Sequence, residues 1–217
     1  MLLSVTKQRI AVSLRIVTAN NYNENRDAIS HDWISFLEKI NAYPILIPNS
    51  LSNTKSFLEN LEIDGIILSG GDNIGDNLER DQTEIELIEF GISKKIPIFG
   101  VCRGMQVLNQ YFGGSVKTLD TKKHVGKPHS INIIHKKFDF LNKDNFKVNS
   151  FHNNVIEKEN IGKNLQSFAI MEDKTIEGFF HNEFLNTGVM WHPEREQNLE
   201  NLTMLNQIFI NTVFRTN

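Results

Sequence analysis

The chain of 217 residues has 40% hydrophobic side chains, enough for one sizeable core, so we expect a single domain over residues 1–217, with residues 1–8 as a loose extension. A formal net charge of −3 and the lack of a long basic run argue against a nucleic-acid partner. One cysteine excludes an internal disulfide, and no stretch approaches the roughly 20 apolar residues that span a bilayer, so we expect a cytoplasmic protein without a membrane partner.

The N-terminal half alternates predicted strands with predicted helices. The strands are short and apolar, over residues 10–18, 44–48, 64–68 and 96–99. The helices have apolar side chains at helical spacing, over residues 28–40, 52–60, 81–95 and 105–111, and a polar loop is expected over residues 20–27. Apolar strands that alternate with helices indicate a parallel sheet with helices on both sides.

From residue 115 onward the pattern changes to predicted strands joined by short loops. These strands cover residues 115–118, 130–135, 165–171, 175–181 and 187–191, and a helix over residues 199–214 follows them. We therefore predict an α/β fold with an open, mostly parallel, twisted sheet, helices on both faces and a small antiparallel β element in the C-terminal half.

The only cysteine, Cys102, lies between a predicted strand and a predicted helix. Gly100 and Gly104 flank it and allow a tight turn. At such an elbow the sulfur lies at a helix N-terminus, where backbone N–H groups and the helix dipole favour the thiolate. A lone cysteine is also typical of a small buried core residue. The flanking glycines favour a nucleophile, provided that a base is present elsewhere.

A candidate base follows far downstream in His192-Pro193-Glu194, directly after a short apolar strand. Because His192 and Glu194 are two residues apart, both side chains can reach the same side of an extended segment. A carboxylate beside an imidazole holds its tautomer and stabilises the imidazolium. With Cys102 as nucleophile, these residues predict a catalytic triad.

Gly70 and Gly71 follow the predicted strand over residues 64–68, one strand before Cys102 in the sequence. In open α/β sheets the chemistry lies beyond the carboxyl ends of the strands. A plain turn is one interpretation, and a phosphate loop lacks its Gly-Lys-Ser/Thr ending. We favour an oxyanion site built from a backbone N–H of this loop and the N–H of Arg103.

Four motifs occur in the order found in class I glutamine amidotransferase-like proteins, which the chain resembles over almost its whole length. The motifs are Ser69-Gly70-Gly71, Gly100-Val101-Cys102-Arg103-Gly104-Met105-Gln106, Asn149-Ser150-Phe151-His152 and Trp191-His192-Pro193-Glu194. Arg103 and Asn-Ser-Phe-His resemble the free-standing γ-glutamyl hydrolase (peptidase C26-like) branch. That branch usually continues with His-Gln, whereas this chain has Asn153-Asn154. The resemblance implies a flavodoxin-like fold.

The resemblance also implies hydrolysis of a γ-glutamyl amide through a cysteine thioester. Cys102 would attack the γ-carbonyl, the N–H groups of Gly71 and Arg103 would stabilise the oxyanion, and His192, oriented by Glu194, would transfer protons. Gln106 would bind the α-amino and α-carboxylate end. The other implied substrate-site residues are Gly70, Ser150, Phe151, His152 and Asn153, of which His152 is equally compatible with a structural loop histidine. No cofactor is implied, and irregular histidine spacing argues against a metal.

The whole-chain resemblance further implies γ-glutamyl-CDP-amidate as the substrate. Its hydrolysis gives glutamate and cytidine diphosphoramidate, in the phosphoramidate pathway of capsular polysaccharide. A basic stretch could meet the diphosphate, with candidates Lys122, Lys123, His124, Lys127 and His129, although a solvated lysine-rich loop is the simpler interpretation of each. Arg15 and Arg195 are further candidates, and Tyr22 could stack on a base.

Three functions remain open from the residues. The first is a hydrolase of this or another γ-glutamyl amine that takes a small-molecule substrate. The second is a glutaminase subunit that hands ammonia to a synthase, but Arg103 and the lack of a fused synthase domain argue against an obligate synthase partner. The third is a redox sensor at Cys102, which has no need for His192 and Glu194. A homo-oligomer is left open.

Overall fold

A mixed sheet of nine strands organises the protein in the computed structural model, which describes residues 7–119, 126–141 and 146–210. Five neighbouring strands run parallel, in the order β4 (Ala42–Ile47), β1 (Gln8–Ser13), β5 (Gly65–Leu68), β6 (Ile98–Val101) and β13 (Asn186–Val189). The next four are antiparallel, in the order β12 (Ile176–His181), β11 (Leu165–Met171), β8 (His129–Ile133) and β9 (Lys147–Val148). The predicted fold class is confirmed, and the antiparallel element extends the same sheet.

Helices cover both faces of the sheet, because successive side chains of each buried strand point to opposite sides. One face packs against α1 (His31–Lys39) and α5 (Leu199–Phe209). The other packs against α2 (Thr54–Glu59), α3 (Leu78–Lys94) and α4 (Arg103–Tyr111). In β6, Phe99 and Val101 contribute to the first core and Ile98 to the second. The strand that leads into the cysteine is therefore buried on both faces.

The single buried strand predicted over residues 10–18 divides into two strands, and the second is neither buried nor part of the main sheet. β1 ends at Ser13, and β2 (Arg15–Thr18) leaves the sheet to pair antiparallel with β3 (Asn25–Ala28). The predicted loop over residues 20–27 therefore ends in a strand. The physical reason is Asn49, whose side-chain amide donates to the Leu14 carbonyl at 3.0 Å and to the Asp27 carboxylate at 2.5 Å, and so ties the hairpin down outside the sheet.

Several predicted boundaries also shift. Ser30 caps α1, which begins at His31, and α3 begins at Leu78, before the predicted residue 81. The predicted strand over 115–118 is reduced to β7 (Lys117–Thr118), which pairs with β10 (Asn154–Val155). Short 3-10 helices occur at Lys136–Leu141 and Lys158–Asn160. Residues 1–6 of the expected N-terminal extension and residues 211–214 of the helix predicted over 199–214 lie outside the described residues.

In the part of the chain that the structure describes, no helix has the length and apolar character needed to cross a membrane.

Candidate active site

Three loops meet at the carboxyl edge of the parallel part of the sheet. They follow the adjacent strands β5, β6 and β13, whose register pairs Leu68 with Gly100 and Val101 with Val189. Since parallel strands end at the same edge, the residues just beyond them converge. Ser69 to Gly71, Cys102 and His192 are thereby brought together from distant parts of the sequence.

Cys102 lies at a sharp turn between β6 and α4. Its backbone has φ 50° and ψ −104°, a conformation that side-chain-bearing residues rarely adopt and that costs about 1–3 kcal/mol. Its N–H donates to the Val189 carbonyl at 2.8 Å, which holds the turn against β13. Gly104 must be a glycine, because a Cβ there would lie 2.0 Å from the Leu68 carbonyl oxygen. Cys102 as a whole residue is 8% exposed, and it lies at the start of a helix, as the predicted elbow requires.

His192 contacts both other members of the predicted triad. Its Nδ1 lies 2.7 Å from Glu194 Oε1, and its ring also hydrogen-bonds Cys102. Because Nδ1 faces the carboxylate, Nε2 is the nitrogen left for the sulfur. Burial alone would lower the pKa of His192, but the hydrogen bonds and charges of Cys102 and Glu194 raise it to about 9. The arrangement therefore favours an imidazolium beside the sulfur at neutral pH.

Asn149 holds the backbone of His192 in place. Sequence reasoning did not identify it as a functional residue. Its Nδ2 donates to the His192 carbonyl at 2.8 Å, and its Oδ1 accepts from the His192 N–H, also at 2.8 Å. The side chain is 5% exposed, so water does not compete for these bonds. The available signal was its place at the start of the Asn-Ser-Phe-His motif.

The predicted loop after Asn149 contributes one exposed ring to the site. Phe151 is half-exposed, lies edge-on to His192 with ring centroids 5.7 Å apart, and carries the Arg195 guanidinium 4.4 Å above its own centroid. Ser150 is buried and Asn153 is exposed. A cation–π contact thus holds the Arg195 charge over Phe151, and Arg195 Nε also lies 3.9 Å from Glu194 Oε1.

His152 is turned into the protein. It is 4% exposed, its Nδ1 lies 2.9 Å from the Asn154 carbonyl, and its Nε2 lies 3.7 Å from Glu177 Oε1. Glu177 also lies 3.3 Å from Nε2 of His129. These contacts favour the loop-histidine interpretation over a direct substrate contact.

Gln106 lies on α4, one turn after Cys102, and is almost fully buried. Its Nε2 is 3.7 Å from the Met190 sulfur, and its Oε1 accepts from Asn154 Nδ2 at 3.4 Å. Asn154 is one of the two residues that depart from the usual His-Gln, so this departure contacts a predicted substrate residue directly. Sequence reasoning did not single out that contact.

The glycine loop lies against both the histidine and a surface arginine. A Cβ on Gly70 would lie 2.6 Å from His192 Cε1, so the loop packs directly on the imidazole. A Cβ on Gly71 would lie 3.3 Å from Arg15, whose Nη2 is 2.9 Å from Asp72 Oδ1. Arg15 and Arg195 therefore border the site from two sides.

The side chain of Arg103 points away from the site, and its guanidinium forms ion pairs with Glu84 and Asp81. Only its backbone is thus available at the elbow. Of the three predicted substrate lysines, Lys127 is exposed, while Lys122 and Lys123 lie outside the described residues. Over residues 7–119, 126–141 and 146–210, no group of three or more His, Cys, Asp or Glu side chains is arranged to hold a metal ion.

Known proteins are similar to this chain in sequence and in fold. The family described as Peptidase C26 matches residues 10–194. The chain is 33% identical over 209 residues to the γ-glutamyl-CDP-amidate hydrolase of Campylobacter jejuni, covering 92% of this chain and 96% of that protein. It is 32% identical over 154 residues to one subunit of the glutamine-hydrolysing GMP synthase of Methanococcus vannielii, covering 70% and 75%. A crystal structure from Thermoplasma acidophilum, provisionally described as a GMP synthase subunit, aligns with a TM-score of 0.71 at 22% identity, covering 97% of this chain and 96% of that one. The resemblance predicted from the four motifs is confirmed.

Proposed function

The chain belongs to the peptidase C26 family and is a cysteine-dependent hydrolase, and on this basis we propose that it cleaves γ-glutamyl amides. The observation that carries the proposal is the contact of His192 with both Cys102 and Glu194 at the carboxyl edge of the sheet. A nucleophile, a base and an orienting carboxylate in this order are the parts that acyl transfer requires.

The first half of the proposed reaction forms a thioester. The Cys102 sulfur attacks the γ-carbonyl carbon, and the carbonyl π electrons move onto the oxygen. As the tetrahedral intermediate collapses, the C–N bond breaks and the proton on His192 Nε2 passes to the leaving nitrogen. The raised pKa of His192 keeps this proton available at neutral pH.

The second half uses water as the nucleophile. His192, now neutral, takes a proton from water as its oxygen attacks the thioester carbon. Collapse breaks the C–S bond and releases glutamate, and the thiolate and imidazolium are restored. Glu194 stabilises the imidazolium, whenever His192 is protonated, through its 2.7 Å contact with Nδ1. The net reaction is amide plus water to glutamate plus amine.

Both tetrahedral intermediates carry negative charge on the former carbonyl oxygen. We assign the backbone N–H groups of Gly71 and Arg103 as its donors, since one follows β5 and the other follows the nucleophile. Gln106 is assigned to the glutamyl end of the substrate. We also assign Gly70, Ser150, Phe151 and Asn153 to the substrate site.

For the leaving group we propose cytidine diphosphoramidate, released from γ-glutamyl-CDP-amidate in capsular phosphoramidate synthesis. The support is the 33% identity to the Campylobacter jejuni hydrolase across 92% of this chain. Two half-exposed arginines add chemical support, because Arg15 borders Gly71 and Arg195 lies over Phe151. Guanidinium groups form strong charge-assisted hydrogen bonds with phosphate oxygens.

A glutaminase subunit is the second candidate, and the similarity to a GMP synthase subunit favours it. Such a protein would prefer free glutamine and would need a synthase to use the ammonia. The proposed stand-alone hydrolase needs neither. Substrate preference therefore separates the two.

The experiment measures glutamate release from free glutamine, γ-glutamyl methylamide and γ-glutamyl-CDP-amidate, with Cys102→Ala as the inactive control. We expect the diphosphate substrate to be preferred. Preference for glutamine would support the glutaminase candidate instead, and no release from any amide would overturn the proposed function.

Arg15→Ala and Arg195→Ala test the leaving-group assignment, with Arg9→Ala as the matched control at the opposite end of β1. Loss of one charged hydrogen bond, of about 1.5–3 kcal/mol, predicts a roughly 10- to 100-fold rise in KM for the diphosphate substrate. KM for the methylamide should stay close to wild type. Equal changes for both substrates would contradict the assignment.

A further inference from the structure

A buried arginine, Arg80, lies directly behind the glycine loop. It is fully buried, and its Nη2 donates to the carbonyl oxygens of Ser69 and Gly70, both at 2.9 Å. Its Nη1 is 3.3 Å from Asp72 Oδ2. One guanidinium therefore contacts three of the four residues from Ser69 to Asp72. Sequence reasoning gave Arg80 no role.

The bond to the Gly70 carbonyl determines where the next N–H points. The Gly70 carbonyl and the Gly71 N–H belong to one planar trans peptide, so they point in opposite directions. When Arg80 holds the carbonyl on the buried side, the N–H is directed to the opposite side of the loop. Gly71 has φ +116°, and a Gly-Gly sequence has no side chain to resist a peptide flip, so an external contact must fix this plane.

The same cluster also holds the second proposed oxyanion donor. Glu84 is fully buried, and its Oε1 lies 3.1 Å from Arg80 Nε and accepts from Ser13 Oγ at 2.8 Å. Its Oε2 forms the ion pair with Arg103, the residue after the nucleophile. One carboxylate thus connects the glycine loop and the elbow, the two segments that provide the N–H groups.

The charge of Arg80 determines how strong these contacts are. Burial, together with the nearby Arg103, lowers the pKa of Arg80, and Glu84 and Asp72 only partly offset this shift. An arginine nevertheless stays charged in proteins, so all contacts are charge-assisted. A lysine at this position would keep the charge but lose the planar fork, which contacts the two carbonyls through Nη2, Asp72 through Nη1 and Glu84 through Nε.

We propose that Arg80, linked through Glu84 to Arg103, is a positioning residue that directs the Gly71 N–H toward the oxyanion. The oxyanion belongs to the reaction of the proposed function, and the inference rests on that function. Arg80 touches no reacting atom in this scheme. Its contribution is to prevent the Gly70–Gly71 peptide from rotating the donor away.

Two reagents separate this role from simple structural support. p-Nitrophenyl acetate acylates Cys102: the S–C bond forms, the C–O bond breaks and p-nitrophenolate leaves, through a tetrahedral oxyanion. Iodoacetamide alkylates the same sulfur: the S–C bond forms, the C–I bond breaks and iodide leaves, with no oxyanion. Both reactions need the Cys102–His192 pair, but only acylation needs the N–H donors.

The test variant is Arg80→Lys, and Arg9→Lys is its matched control, because Arg9 also binds a backbone carbonyl and a carboxylate but is exposed. In Arg80→Lys we expect acylation to slow by about 10- to 100-fold and alkylation to stay within about twofold of wild type. With a γ-glutamyl amide as substrate, kcat should fall by a similar factor and KM should stay unchanged. Arg9→Lys should leave all of these unchanged.

Equal slowing of both reagents, or no slowing of acylation, would overturn the proposal. Glu84→Gln weakens the ion pairs with both arginines and is expected to slow acylation but not alkylation, as Arg80→Lys does. It serves as the test variant if Arg80→Lys does not fold. If the split is seen while wild type releases glutamate from no amide, the role of Arg80 stands and the proposed function fails.

Discussion

Replacing Glu194 by glutamine isolates the electrostatic part of the triad. The surroundings of His192 raise its pKa from 6.5 to about 9, which corresponds to about 3 kcal/mol in favour of the imidazolium. Cys102 and Glu194 share this effect. Glutamine keeps the size of the side chain but removes its charge, so we expect the pKa of His192 to fall towards 6.5. Loss of the orienting carboxylate should lower kcat/KM by about 10²–10⁴-fold.

The pH dependence gives the sharper readout. In the wild type we expect activity to fall as the pH rises through about 9, where His192 loses the proton that the leaving nitrogen needs. In Glu194→Gln this alkaline fall should move to lower pH. The assay is kcat/KM from pH 5 to pH 10, with Glu196→Gln as a control that carries the same change two residues further along. An unmoved alkaline limb in an impaired Glu194→Gln enzyme would refute the electrostatic role.

The same raised pKa links to folding stability. Because the pKa of His192 is higher in the folded than in the unfolded chain, its contribution is fully present below about pH 6.5 and is lost as the pH rises through about 9. Urea denaturation of the wild type should show stability falling over this interval. Glu194→Gln should show a smaller fall.

Two further substitutions test how the histidine is held. Asn149→Ala removes both hydrogen bonds to the His192 backbone and leaves buried groups unpaired. The free energy of unfolding should therefore drop by about 2–5 kcal/mol, and kcat should fall by about tenfold or more. The control, Asn60→Ala at the exposed end of α2, should change neither quantity. Gly70→Ala would place a Cβ 2.6 Å from His192 Cε1, so the imidazole must move. Initial rates of amide hydrolysis should therefore fall by about 10²-fold. Full activity in this variant would show that the loop does not constrain the ring.

The parts of the site carried by short contiguous motifs could be predicted from the sequence. The elbow follows from glycines on either side of Cys102. The pairing of His192 with Glu194 was also predicted, but the reason given for it was wrong, because the contact forms within a turn from His192 to Arg195 and not along an extended segment. Each depends on backbone geometry over a few residues. Strand alternation likewise predicted that the glycine loop and the cysteine lie at one edge.

The parts that depend on tertiary contacts could not be predicted. Arg80 and Glu84 are charged residues on an amphipathic helix, and such residues normally face solvent, so nothing local indicates that Arg103 from another helix buries them. The break at Leu14 also lacks a local signal, because Asn49, which causes it, is far along the chain. Asn149 acts only through a backbone that folds back to it.

The position of β13 means that the enzyme becomes chemically competent only late in its synthesis. β13 is inserted between β6 and β12, although the chain produces β6 much earlier. Until residues 186–192 emerge and dock, β6 keeps a bare edge, the Cys102 N–H lacks the Val189 carbonyl that holds the elbow, and the thiol has no base. Activation of Cys102 thus depends on the same long-range strand pairing that completes the sheet. A nascent chain that lacks this pairing therefore has no activated cysteine.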